Sequence, residues 1–383
     1  MSRAGLVAVL LMGCAKTVAP EAAPVDAVDE SKVAASGEPR EILEAFADHE
    51  RPGLRARAVE WLVRAGAEGR PDDPSAWVQR AEVVALGRRA DAAATARRQA
   101  MAARDDIDPW VRCLAALLAP DPSFAVALSD YATEPQPWRR LPLALGAWAS
   151  GDAQAREVVE AALRSGLLDW NLELMLALGD RGDAALAVAL AEAQRQAEPE
   201  LQLAIAAARL LAGDDEAAQA FEVVLRNGEI EARLEAIDLL QHVPTEPASR
   251  LLDAAAAKGP EIVTSYVEII GVDRGDTRAA RLRKAMASDD PELRTLVVRH
   301  VVPGAMALPW RPQPLVDDKR GALATPIVTE ALTDADPGVR RQAVESAAAL
   351  GLDVTPVVQA LLLDDDPTVR IAAAGYLLVQ GSR

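Results

Sequence analysis

Asp336-Pro337-Gly338-Val339-Arg340-Arg341-Gln342-Ala343 and, thirty residues later, Asp366-Pro367-Thr368-Val369-Arg370-Ile371-Ala372-Ala373 decide how this chain is read. An aspartate before a helix accepts hydrogen bonds from the free amides of the first turn. Proline at the first helical position lacks only an N–H that the helix leaves unpaired. Each stretch therefore opens a helix, and the alanine-rich run behind it sustains one. The same opening recurs at Asp73-Pro74, Asp108-Pro109 and Asp290-Pro291, with a weaker copy at Glu198-Pro199. Behind the first three stand Val78-Gln79-Arg80, Val111-Arg112 and Leu293-Arg294, followed by more alanine.

A second series sets the period. Asp121, Asp152, Asp183 and Asp214 are spaced by 31 residues and Asp276 by a further 62, so that only the slot at Thr245 lacks its acid. Gly151, Gly182, Gly213 and Gly275 precede four of these aspartates. Gly-Asp at that spacing predicts the end of one helix and the N-cap of the next. A recurring unit of about thirty residues is the mark of a helical array. Composition agrees, with 50% hydrophobic residues but only 3% aromatics, a core of alanine, leucine and valine suited to close helix packing. Two cysteines exclude a disulfide framework and a four-cysteine zinc site. A net charge of −17 argues against nucleic acid as a partner, since phosphate binding needs clustered cations.

The Asp-Pro-x-Val-Arg openings followed by alanine-rich helices resemble HEAT repeats, in particular the short repeats of bacterial proteins and phycobilisome lyases. The resemblance covers residues 41–383, strongest at 290–380 and weakest at 41–70. It implies an all-α fold, an α-solenoid (α–α superhelix) of about ten HEAT-like helix pairs, each pair stacked on the next. Stacked at 8–10 Å per layer, the array would be a curved rod on the order of 90 Å long. One interval departs from the period: Asp276 to Asp353 is 77 residues, fifteen more than two repeats. The surplus falls in an insertion at 303–320, where Pro303, Pro309, Pro312 and Pro314 surround Trp310. Insertions in solenoids map to loops on one face. Trp310 and Arg311 then either stand at the tip of a partner-contact loop or fold back on the array.

Residues 1–13 hold one charge, Arg3, an apolar run from Ala4 to Met12, and Gly13 before Cys14. That is too short to span a bilayer and has the layout of a secretory signal peptide. Leu11-Met12-Gly13-Cys14 resembles the lipobox of bacterial lipoproteins. The resemblance implies cleavage before Cys14 and lipid on its thiol and new N-terminus, which anchors the chain to a membrane. Residues 14–40 then form an alanine- and proline-rich tether without sustained period, expected to be disordered. The residue after Cys14 is Ala15 rather than aspartate, which resembles lipoproteins sent to the outer membrane, facing the periplasm.

Chemistry is sparse. His49, His242 and His300 are far apart in sequence, and none has a second ligand at metal spacing. No glycine-rich phosphate loop and no Gly-x-Ser-x-Gly elbow occurs, so no catalytic residue, metal site or cofactor is expected. Cys113 reads as a small core group on the helix opened by Asp108-Pro109. Trp77, Trp110, Trp138 and Trp170 recur at intervals of 33, 28 and 32 residues, each near the start of a helix. Equivalent positions line up along an array. With Arg112, Arg139 and Arg140 beside them, these tryptophans make a candidate binding stripe, or else fill gaps between repeats.

The sequence thus predicts a non-enzymatic, lipid-anchored scaffold for protein–protein interaction in the bacterial envelope, with a partner that carries basic patches. The alternatives are an enzyme subunit or lyase-like protein that binds a small ligand or chromophore, and a mechanical spacer without a specific partner.

Overall fold

The computed structural model describes residues 38–383 apart from 90, 119, 166–171, 260, 271–276, 303–307, 311–317 and 382–383. The signal peptide, Cys14, most of the tether, Trp170, Asp276 and Arg311 lie outside the described residues. Among those described, the chain is all-helical and contains no strand. It divides into two compact units: residues 120–282, and residues 38–119 together with 283–383.

The chain enters the discontinuous unit through α1 (Pro39–Ala47), α2 (Pro52–Arg64), α3 (Ala76–Gly87), α4 (Ala92–Ala102) and α5 (Pro109–Leu117). The continuous unit runs from α6 (Pro122–Ala127) through α7 (Pro137–Ala149), α8 (Ala153–Ser165), α9 (Leu172–Arg181), α10 (Ala184–Gln196) and α11 (Pro199–Leu211). It goes on through α12 (Ala218–Asn227), α13 (Ile230–Leu240), α14 (Glu246–Lys258) and α15 (Glu261–Ile270) into α16 (Thr277–Met286), where the two units meet in the chain. The discontinuous unit resumes with α17 (Pro291–His300), α18 (Asp318–Ala331), α19 (Pro337–Leu350), α20 (Thr355–Ala360) and α21 (Pro367–Gly381).

The predicted caps form. Asp108 accepts from the amides of Trp110 (2.9 Å) and Val111 (3.2 Å), and Asp336 from those of Gly338 (2.8 Å) and Val339 (3.2 Å). In the 31-residue series, Asp121, Asp152, Asp183 and Asp214 each accept from the amide two residues on. Gly151 and Gly213 before them have φ of +104° and +87°, left-handed turns that a Cβ disfavours. One opening is corrected. Asp73-Pro74 does not start a helix: Ser75 is the N-cap of α3, and Asp73 accepts its amide at 2.9 Å. Asp73 stands two residues before that cap, where Arg55 on α2 grips both its oxygens, at 2.8 and 3.0 Å.

In the continuous unit, α7, α9, α11, α13 and α15 pack each on the next, while α8 packs on α10 and α12 on α14. One close approach is made by glycine. A Cβ at Gly179 would stand 2.6 Å from the Ala208 carbonyl oxygen, so α9 and α11 touch backbone to backbone. In the discontinuous unit the spatial order is α17, α19, α21, α2, α3, α5. The row passes from the last helix of the chain to one of the first without a break. Ile42, Leu43, Phe46 and Ala47 form the buried stripe of α1, which packs on both α2 and α21. Trp61 of α2 is only 4% exposed, and its indole lies against Gly375 of α21, where a Cβ would overlap the ring.

One arginine position links successive layers. The fourth helical residue is Arg55 in α2, Arg294 in α17, Arg340 in α19 and Arg370 in α21. Arg294 forks onto Asp334 at 2.7 and 2.8 Å, and Arg340 onto Asp364 at 2.8 Å through both nitrogens. Each aspartate lies two residues before the next N-cap and accepts that residue's amide. The Nη1 atoms of Arg55, Arg340 and Arg370 also donate to the carbonyls five and six residues back. These bidentate, charge-assisted bonds fix the register of one helix on the next.

Candidate interaction surface

The tryptophans singled out from the sequence sit at one structural position. Trp77, Trp110 and Trp138 are each the second residue of their helix, α3, α5 and α7. Their surroundings differ. Trp77 is 45% and Trp138 42% exposed, whereas Trp110 is at 9%. Trp110 is covered because Trp310, from the insertion, meets it edge to face with ring centroids 6.1 Å apart. Trp310 therefore folds back on its own unit instead of standing at the tip of a contact loop. Such pairs contribute beyond the area they bury. Trp310→Ala is expected to lower the urea midpoint of unfolding by the equivalent of about 0.5–1.5 kcal/mol with the slope unchanged. An unaltered midpoint would show the ring contact to be idle.

Arg112 does not belong to any contact surface. It is 1% exposed, and its Nε donates to the carbonyl of Ala102 at 2.8 Å, in the last turn of α4. There the cation meets the negative end of a helix. Cys113 beside it is fully buried, a core group as the sequence suggested.

The residues around Trp138 remain accessible. Arg139 lies with its guanidinium 5.5 Å from the Trp138 ring centroid and its Nε 3.0 Å from Glu134. The ring and the cation thus hold one another at the start of α7, a contact of about 0.5–1 kcal/mol at an exposed site. Arg140, half-buried on the same helix, bears electrostatically on Tyr131. Tyr131 donates to Asp152 at 2.8 Å. Burial, then the bond to Asp152, push its hydroxyl up to about 12, against the pull of Arg140. The result is a pre-set patch of indole, guanidinium and carboxylate on the continuous unit. A second exposed indole, Trp77, lies on the other unit.

His49 is buried, its Nδ1 accepting from the Arg51 amide at 3.0 Å, while His242 follows α13 and His300 ends α17. Among the described residues no three His, Cys, Asp or Glu side chains gather as metal ligands would, and no helix is long and apolar enough to cross a membrane. Sequence reasoning did not single out Trp61. The signal was present, because Arg51-Pro52-Gly53-Leu54-Arg55 repeats the pattern of Asp336-Pro337-Gly338-Val339-Arg340 with arginine in place of the capping acid. The chain matches no family model and no curated protein.

Proposed function

We propose that this protein is a non-enzymatic binding scaffold, a solenoid of HEAT-like helix pairs held in the bacterial envelope by lipid on Cys14. The observation that carries the reading is the pair of half-exposed tryptophans, Trp77 and Trp138, at the same helical position of repeated layers. Exposed indoles, here Trp138 with Arg139 beside its ring, are the kind of residue on which binding energy concentrates. The remainder of the surface supports steering more than affinity. At a net charge of −17 it attracts a partner with basic patches and repels anionic lipid, so the acyl chains rather than the protein body hold it at the membrane.

The test is crosslinking in whole cells followed by mass spectrometry, on the wild type, Trp138→Ala and Cys14→Ser. The wild type is expected in the membrane fraction with one reproducible envelope partner. Trp138→Ala should weaken that partner roughly thirtyfold or more, as loss of a hot-spot indole does, and Cys14→Ser should leave the membrane fraction. A wild type with no reproducible partner would identify a spacer. An unchanged yield from Trp138→Ala would remove this surface from consideration.

A further inference from the structure

In the continuous unit α12 packs on α14, and a groove of about 540 Å³ lies between them. That is the size of a small-molecule site, which spans roughly 300–1,000 Å³. Its floor is apolar. Leu251 and Ala255 of α14 are 7% and 8% exposed. Leu225 of α12 packs against the cluster of Ile237, Ala255, Val263 and Val267. Along α14 the lining runs from Pro247 in the first turn to Lys258 at the end, about 16 Å of helix.

The rim is charged, mostly at one end. Arg226 of α12, Arg233 of α13, and Arg250 and Lys258 of α14 line the groove, with Glu222 as its one acid. Arg226 stands in the last turn of α12 and Lys258 closes α14, and the packing of Leu225 beside Ala255 brings these two ends together. Arg233 reaches the same end, donating to the carbonyls of Gly228 at 2.7 Å and Arg226 at 3.1 Å. The nearby acids hold these cations loosely. Glu222 is 4.0 Å from Arg226, and Glu246, outside the lining, is 3.9 Å from Arg250. By contrast, Arg340 meets Asp364 at 2.8 Å. Glu229, Glu231 and Asp253, further acids of this region, do not line the groove. With Glu222 and Glu246 both counted, two positive charges remain. The C-termini of α12 and α14 offset about half a charge each, which leaves roughly one.

We propose that the groove between α12 and α14 binds a single-chain anionic amphiphile, a fatty acid, with its carboxylate at Arg226 and Lys258 and its alkyl chain along Leu225, Leu251 and Ala254. One net positive charge at the end of an apolar trough is the complement of a monoanion with a hydrocarbon tail. Guanidinium and ammonium donors make charge-assisted bonds to a carboxylate, and the trough removes the chain from water. A protein partner fits less well, because a stable interface needs about 800 Å² from each side and this groove is confined to two helices. The proposal goes beyond the scaffold reading and does not depend on it, since neither Trp77 nor Trp138 lines the groove.

The test is titration calorimetry of the full chain, free of detergent, with octanoate, decanoate and dodecanoate below their micellar concentrations, and with 1-decanol as the uncharged control. Saturable binding at one site per chain is expected. Each added methylene should tighten it by up to about fourfold while the trough has room. Decanol should bind about tenfold or more weakly than decanoate. Lys258→Glu reverses the charge at the head of the groove, and Ala254→Glu sets a carboxylate along the tail. Both positions are exposed on α14, and each change should weaken decanoate about tenfold. If either variant fails to fold, the ligand series on the wild type still decides the matter. Absence of saturable binding, affinity independent of chain length, or decanol bound as tightly as decanoate would overturn the proposal. So would a groove that ignores all three acids but takes an acidic amphipathic helical peptide, which would mark a protein ligand instead.

Discussion

Gly375→Ala is expected to destabilise the protein by about 1–3 kcal/mol, the opposite of what this substitution does inside an unobstructed helix. In a free helix alanine gains roughly 0.5–1 kcal/mol over glycine, because glycine loses more backbone freedom on folding. At position 375 the added methyl would overlap the Trp61 indole, which is 4% exposed and has the Arg64 guanidinium 4.1 Å from its ring centroid. The ring has nowhere to turn, so α2 must shift from α21 and carry α1 with it. Urea unfolding measures the loss. Combining Gly375→Ala with Trp61→Leu should cost less than the sum of the two single changes, since the smaller side chain admits the methyl. A stabilising Gly375→Ala would mean that α2 does not rest on α21.

A larger loss, about 3–5 kcal/mol, is expected for Arg340→Ala. Its guanidinium forks onto Asp364, whose side chain is 6% exposed, and removing one partner strands the other in a poorly hydrated place. Asp364 must still accept the Asp366 amide, so it cannot turn away to water. The same pair sets the response to acid. Burial would raise the Asp364 carboxyl, but the Arg340 fork and the Asp366 amide overcome it and hold it below the ordinary range. Asp334, gripped by Arg294, is lowered against burial in the same way. A carboxyl depressed in the folded state contributes stability that is complete above its unfolded value, near 4. That contribution is lost as the pH falls through the folded value. Unfolding free energy is therefore expected to decline below about pH 5, and less steeply in Asp364→Asn, which keeps an oxygen for the amide but has no charge to protonate. Equal slopes for the variant and the wild type would remove Asp364 from the acid response.

What the sequence made legible was local. Asp108, Asp336 and Asp366 could be assigned as caps because the amides they accept lie two or three residues away. Asp73 was misplaced because its behaviour depends on Arg55, eighteen residues earlier, which competes for the carboxylate. Arg112 looked like part of a stripe because adjacency to Trp110 is visible in a sequence, while the turn of the helix that points it at Ala102 is not. The fate of Trp110 depended on Trp310, two hundred residues away.

The seating of α2 on α21 also bears on how the molecule comes to be assembled. In a linear array each layer needs only its neighbour in the chain, so folding can start anywhere and spread. Here Trp61 and Phe46 gain their full surroundings only once the segment around Gly375 is present. The contact of Trp61 with Gly375 joins positions that lie far apart in the sequence, where loop closure is entropically costly.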